Sequence, residues 1–482
     1  MSPARSGFGQ LLLRLHFYAG LLVAPFLLVA ALTGIAYVFT PQIEKAVYAD
    51  ELTVSAPAGA RAIPLSQQLA AARAVHPTGD LIGVRPGRPE TTTQVDFTSP
   101  DLDEEHQHTV YVNQYTGRVT GQMTTWWATT PLRTWFDDLH TNLQLGTVGY
   151  FYSEFAASWL WVIALGGVIL WFRRQRGKRM LRPDLGAKKG VRRTRGWHAS
   201  TGLWLSIGLL FLSATGLTWS NYAGVNFGNA VDALDGSRPE VSTTLTAAAA
   251  APAAGGHHGG GAPTTGDTPV DPAAIDKVWP AATAAGIDGP VAITVPGDNA
   301  TAWGVTEQDG RWPMRRDGVA VDGATGQITD TINYADWPFM AKLTQIGIYA
   351  HMGDLFGLAN QIVLAALALG LICVIVWGYR MWWQRRPTRT GRRAIVGTPP
   401  VGPGAWQKLP AWAIVVGVPM ILAVGYFLPL FGVPLAAFIA FDVLIATIRR
   451  RRRTASIPVS PAPAGVALTS PQEASAQGAD QG

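Results

Sequence analysis

One cysteine, Cys373, serves a chain of 482 residues. That scarcity excludes an internal disulfide, a thiolate-ligated cluster and a CxxC redox pair, so any redox centre must be held by other side chains. Charge is also scarce. Only 15% of residues are Asp, Glu, Lys or Arg, against about 25% in soluble domains. No GxGxxG, Walker A or flavin-type fingerprint occurs, which removes the familiar route to NAD(P)H. Nor is there a GxSxG, an HExxH or an acidic pair arranged for hydrolysis.

Long apolar runs take the place of charge. Six lie at roughly 12–40, 152–172, 198–220, 357–383, 409–430 and 432–448, each near the length that crosses a bilayer. The first outlasts the about 7–15 residues of a signal-peptide apolar region and reads as an uncleaved helix. Positive charge is segregated. The N-terminus carries Arg5 and Arg14, the 173–196 loop eleven Lys or Arg, the 380–408 segment seven, and Arg449–Arg453 five more. The positive-inside rule puts those segments in the cytoplasm and 41–151 and 221–356 outside, with both termini cytoplasmic. The net charge of +6 is therefore an orientation signal against a lipid bilayer, with no nucleic-acid partner implied.

Four histidines sit at the ends of these runs in repeated settings. Gly20 and Thr33 follow His16 by 4 and 17 residues, and Gly202 and Thr215 follow His198 by the same offsets. Gly146 and Gly167 follow His140 by 6 and 27 residues, matched by Gly357 and Gly378 after His351. Ionisable residues at membrane depth are rare and usually functional. Neutral imidazoles in duplicated positions suit axial ligation of two haems. His16 and His198 both start outward-running helices and converge near the inner face. His140 and His351 precede inward-running helices, on short interfacial segments near the outer face. Arg14 and Arg195, just before His16 and His198, suit haem propionates or simple inside anchoring. Gly20, Gly34, Gly167, Gly202, Gly216 and Gly378 suit either a flat macrocycle or close helix packing.

The external segments repeat as well. Residues 64–76 suit a helix, followed by strand-like runs at 81–84, 91–97 and 109–113. The second segment has a helix at 271–285 and strands near 290–295, 301–306 and 319–322. Both end in one string, Val112-Asn113-x-x-Thr116-Gly117-x-Val119 and Val321-Asp322-x-x-Thr325-Gly326-x-Ile328. Glycine takes the positive φ of such a turn, and Asn or Asp closes it with the side chain. His106 and His108 alternate on one hairpin and read as a solvated face before a metal site. His76, before Pro77, reads as a helix end. His257-His258 lie in an Ala/Gly/Thr/Pro-rich insertion at 243–268 that reads as a linker.

Two external modules with this hairpin, each framed by His-bearing helices, resemble the PepSY-associated transmembrane family over roughly 10–387. The resemblance rests on H-x3-GL…TG at His16 and His198, and on Leu139-His140-x5-Gly146 with Ala350-His351-x5-Gly357. It implies a bacterial inner-membrane protein similar to iron-regulated and ferric-siderophore reductase members. The expected architecture is polytopic and α-helical, with about six spans, two small α+β extracytoplasmic domains and internal duplication. Its parts are 1–40 (first span), 41–135 (first module), 136–172 (His helix and second span), 173–196 (basic loop) and 197–220 (third span). Then come 221–340 (second module), 341–383 (His helix and fourth span), 384–408 (loop), 409–448 (hairpin without histidine) and 449–482 (disordered tail).

What the resemblance implies is two b-type haems, an inner one on His16/His198 and an outer one on His140/His351. The implied activity is an oxidoreductase step on an external acceptor such as a ferric siderophore. The electron donor is separate, a cytosolic flavoprotein, a soluble reductant or the quinol pool. Two rivals fit the same residues: a haem or iron transporter using the histidines as way stations, and a non-catalytic PepSY binding or sensory protein.

Overall fold

Apolar runs fold as helices in lipid because no solvent is there to pair a bare backbone. The computed structural model describes residues 7–175, 180–183, 185–187, 189–245, 270–385 and 409–455. Most of the 243–268 insertion with His257-His258, most of the 384–408 loop and the tail after 455 lie outside the described residues. The chain opens with α1 (Gly7–Leu22) and α2 (Ala24–Val38), bent against each other by 55°. Pro25, in the first turn of α2, has no N–H to give the Leu21 carbonyl. The Tyr379 hydroxyl donates to that carbonyl instead, at 2.9 Å.

Short helices α3 (Thr40–Val47) and α4 (Ala49–Leu52) lead to the first module: α5 (Leu65–Val75), β1 (Leu81–Arg85), β2 (Thr93–Phe97), β3 (His106–Val112) and β4 (Val119–Trp126). Then come α6 (Pro131–Thr141) and the long α7 (Thr147–Phe172). The second half repeats this order with α8 (Val191–Leu217), α9 (Ala223–Asp232), α10 (Ile275–Ala284), β5 (Val291–Thr294), β6 (Trp303–Glu307), β7 (Gly318–Val321), β8 (Ile328–Ile332), α11 (Phe339–Met352) and α12 (Leu358–Gln384). Ile207 takes the place of Pro25, and α8 stays one helix of 27 residues. The hairpin α13 (Ala411–Phe427) and α14 (Pro429–Ala455) follows.

Five of the about six expected spans are met by length and composition. Among the described residues, α7, α8, α12 and Pro429–Ile448 are long and apolar enough to cross a membrane, and the α1–α2 pair makes a fifth. The fifth run, 409–430, folds as α13, an apolar helix of 17 residues, at the short end of the about 17–25 that cross a bilayer.

The two external modules, expected as separate domains, form one eight-stranded sheet in the order β4-β3-β2-β1-β5-β6-β7-β8. The join is antiparallel pairing of β1 with β5, at Gly83 with Thr294 and Val84 with Ile293. Each strand would otherwise leave an edge of unpaired backbone. One core runs beneath both halves. It joins Leu69 and Ala72 of α5 to Val95 and Val110, and Ile275 and Val278 of α10 to Val305 and Val319. The two repeated hairpin turns form as expected, with Gly117 at φ 72° and Gly326 at φ 75°. Asn113 and Asp322 accept the backbone N–H two residues on, at 2.9 and 2.8 Å.

A second apolar core binds the membrane helices, from Val23 and Leu27 to Trp159, Leu371 and Phe431. The α13–α14 hairpin is fastened to the first half. Trp159 Nε1 donates to the Leu430 carbonyl at 3.1 Å, and Arg14 forms a buried ion pair with Asp442.

Candidate metal-ligand histidines and the vestibule beside them

Each of the four repeated histidines points its Nδ1 at an oxygen. His16 Nδ1 lies 3.1 Å from the Ile163 carbonyl on α7, and His198 Nδ1 lies 2.9 Å from the Val374 carbonyl on α12. A carbonyl only accepts, so both rings carry their proton on Nδ1 and present a bare Nε2. Gly167 and Gly378 sit one turn beyond those carbonyls. A Cβ at Gly167 would stand 3.1 Å from His16 Cε1, and one at Gly378 would stand 3.6 Å from His198 Cε1. The glycines at offset 27 thus let the rings reach a neighbouring helix backbone.

The second pair is oriented by threonines. Thr33 Oγ1 lies 2.9 Å from His140 Nδ1, and Thr215 Oγ1 lies 2.6 Å from His351 Nδ1. Thr33 donates to the Val29 carbonyl at 2.9 Å and Thr215 to the Phe211 carbonyl at 2.8 Å. When the hydroxyl proton stays on the helix carbonyl, each oxygen accepts from Nδ1–H and Nε2 is left bare. The adjacent Gly34 and Gly216 lie under these rings, with ideal Cβ positions 3.2 and 3.7 Å from Cε1 of His140 and His351. Gly20 and Gly202, one turn after His16 and His198, face open space within 4 Å.

The rings of His16 and His198 are brought together, their centres 6.3 Å apart at an interplanar angle of 76°. His140 stands close enough to His351 to act on it electrostatically. The spans after the second pair start at Thr147 and Leu358, seven residues past each histidine and earlier than the 152 read from the sequence. Gly146 and Gly357 make the reversal with near-identical dihedrals, φ 54°, ψ −133° and φ 57°, ψ −134°. That region belongs to glycine alone, which explains the offset of 6.

The two arginines part ways. Arg14 is buried, engaged with Asp442 and 5.3 Å over the Tyr18 ring. Arg195 is half-buried among Arg174, Arg192 and Arg385, with no carboxylate in ion-pair range among the described residues. Arg385 also acts on His198. Sequence reading missed Arg174 and Arg385. Both lie 34 residues after their histidines, His140 and His351, so the same offset rule was able to find them.

An open-sided vestibule of about 2440 Å³ lies between the sheet and the membrane helices. Tyr37 lines it and stacks against His140, with centres 6.4 Å apart at 25°. Arg133 donates to Asp354 at 3.1 Å and stands 4.0 Å from Glu44, which also takes a hydrogen bond from Thr130. Burial pushes the Glu44 carboxyl up. Burial, with Asp138 adding to it and Arg133 opposing, pushes Asp137 up to about 6. The repeat-equivalent positions in the second half are Trp219, Thr344 and Ile348 for Tyr37, Arg133 and Asp137, so this charged network serves one side only.

Outside this region, His106 pairs with Asp103 at 2.6 Å, and His108 turns to His76 with ring centres 4.6 Å apart. No curated protein matches the chain. Residues 13–385, the stretch that holds all four repeated histidines, match the PepSY-associated TM region, and the chain belongs to that family of membrane proteins.

Proposed function

We propose that this multi-pass membrane protein is an electron conduit holding two b-type haems, one on His16 and His198 and one on His140 and His351, and that it reduces an external acceptor, a ferric siderophore. The observation that carries the reading is the common ring setting. All four imidazoles place Nδ1 against a fixed oxygen, and with the proton on Nδ1 each keeps Nε2 as a lone-pair donor, the arrangement that orients metal-bound histidine. Two imidazoles trans on one metal, with bonds of about 2 Å, hold their ring centres roughly 6 Å apart, and His16 and His198 stand at 6.3 Å. The open space beside Gly20 and Gly202 suits a flat macrocycle on the same helix faces.

A b-type haem supplies reversible one-electron exchange between Fe(III) and Fe(II). The chain's own residues do the rest. Carbonyls and threonines set ring orientation. Arg195 and Arg385, with no carboxylate in ion-pair range among the described residues, offer cations for propionates beside His198. Tyr37 separates His140 from the vestibule, where an acceptor of siderophore size fits with room to spare against the about 300–1,000 Å³ of a drug-sized site. One electron converts the acceptor's Fe(III) to Fe(II), which hard oxygen ligands hold less well. In this reading the sheet lies outside the cytoplasm, the basic loops inside, and the two halves are a duplication. The donor is a separate flavoprotein or quinol.

The test is a dithionite-reduced minus oxidised spectrum of the purified protein, followed by ferric hydroxamate. The expected result is a b-type α-band that the chelate bleaches, with one haem lost in His16→Ala or His198→Ala and the other in His140→Ala or His351→Ala. A colourless protein after expression with ample haem, or equal loss at both sites from each substitution in a folded protein, overturns the proposal.

A further inference from the structure

His76 caps the C-terminal end of α5 and is only 8% exposed. Its Nε2 is buried with no hydrogen-bond partner among the described residues, and the Thr98 backbone stands within hydrogen-bonding reach of the ring. An orphaned ring nitrogen in a buried position is costly unless something binds it. The neighbour is His108 on β3, at 4.6 Å between ring centres and 66° between planes. Two imidazoles bound cis to one metal, with bonds of about 2 Å, place their centres roughly 4.5–5 Å apart. The His16–His198 spacing is that of a trans pair, and the His76–His108 spacing is that of a cis pair.

A carboxylate stands nearby without being gathered with the two rings. Asp101, exposed on the turn between β2 and β3, acts electrostatically on both rings and takes a hydrogen bond from Ser99. The nearby cation, Arg73, is spent on the turn after α5: its Nη1 donates to the Gly79 carbonyl at 2.7 Å, and its guanidinium lies 4.5 Å over the Phe97 ring. The fold itself does not need imidazoles here. By strand register, Asp317 and Glu307 of the second half occupy the places of His108 and Phe97. There Arg315 closes the corner, at 2.8 Å from Glu307 and 2.5 Å from Asp288.

We propose that His76 and His108, with Asp101 closing over them, bind a divalent first-row transition ion on the first sheet module, apart from the membrane histidines. Two nitrogens and one carboxylate oxygen select a borderline ion over Mg(II) or Ca(II). No three such side chains are already gathered among the described residues, so binding includes closure of the Asp101 turn.

The experiment is calorimetric titration of Zn(II) into the purified full chain, untagged and chelator-treated, in a His257→Ala/His258→Ala background that silences the linker histidines. One equivalent of Zn(II) is expected to be lost in His108→Ala, weakened in Asp101→Asn and not displaced by excess Mg(II). Zn(II) is also expected to raise the melting temperature of the background protein and not that of His108→Ala. His108→Asn, which keeps a polar contact for Thr124, repeats the loss if the alanine variant folds poorly. Zn(II) taken up at the membrane histidines is indifferent to these changes. Unchanged stoichiometry in both His108 variants, or no uptake at all, overturns the site.

Discussion

The Thr33 hydroxyl oxygen lies 2.9 Å from His140 Nδ1, across 107 residues of chain, and Thr215 repeats the contact with His351. The threonines hold ring and tautomer together. Thr33→Val and Thr215→Val keep the shape and delete the acceptor. Outer-partner losses of this kind weaken metal affinity by about 10–100-fold. With the proposed haems bound, each variant is expected to lose haem from the outer site during dialysis against apomyoglobin while keeping the inner one. Equal retention at both sites would show that the threonines do not orient the ligands.

The glycines beneath the rings divide by half. An added Cβ meets His16 and His140 at 3.1 and 3.2 Å, and meets His198 and His351 at 3.6 and 3.7 Å. The first pair of distances forces the ring to give by a few tenths of an ångström, and the second is ordinary contact. Gly167→Ala and Gly34→Ala are expected to shift the low-spin electron paramagnetic signal of the inner and outer haem respectively. Gly378→Ala and Gly216→Ala leave it in place.

Asp137 carries a pH dependence. An unfolded aspartate ionises near 3.9, while the folded group holds its proton up to about 6. Its burial carries no charge penalty below about pH 4. The penalty grows as the unfolded chain ionises first, and is complete above pH 6. Asp137→Asn is expected to raise stability by about 1–2 kcal/mol at pH 7.5, allowing for water in the vestibule, and to change little at pH 4. Melting curves at the two pH values check this. A stabilisation of equal size at both would place the effect elsewhere.

Arg14 is committed to Asp442. Asp442→Ala takes the carboxylate away from a buried guanidinium, at a cost of about 3–5 kcal/mol, whereas apolar replacement of both partners is about neutral. Asp442→Ala is expected to melt lower, Arg14→Met/Asp442→Leu is expected to recover, and the double variant is expected to retain both haems. Loss of the inner haem from a well-folded double variant would return Arg14 to the propionates.

Much of this architecture is legible along the chain. The apolar runs mark the membrane helices because burial in lipid acts on local composition. Offsets of 6 and 27 residues mark Gly146, Gly167 and their partners because backbone reversal and ring approach each demand glycine at one position. The Asn113 and Asp322 turns are legible for the same local reason. The sequence hides the edge pairing of β1 with β5, which depends on two strands nearly identical in pattern to their neighbours. It also hides the shortness of α13, and the partners of Arg14 and His76.

The sequence by itself determined where the long apolar runs lie, where the chain turns, and that four histidines recur in matched settings. Only the tertiary structure decided which oxygen faces each ring's Nδ1, that the His16 and His198 ring centres stand 6.3 Å apart, and that those of His76 and His108 stand 4.6 Å apart. Hydrophobic pattern and turn chemistry act between near neighbours, and so can be read in order. A hydrogen bond or ring contact between distant segments exists only once helices and strands have packed, and it is that packing which sets the lone pairs available for chemistry.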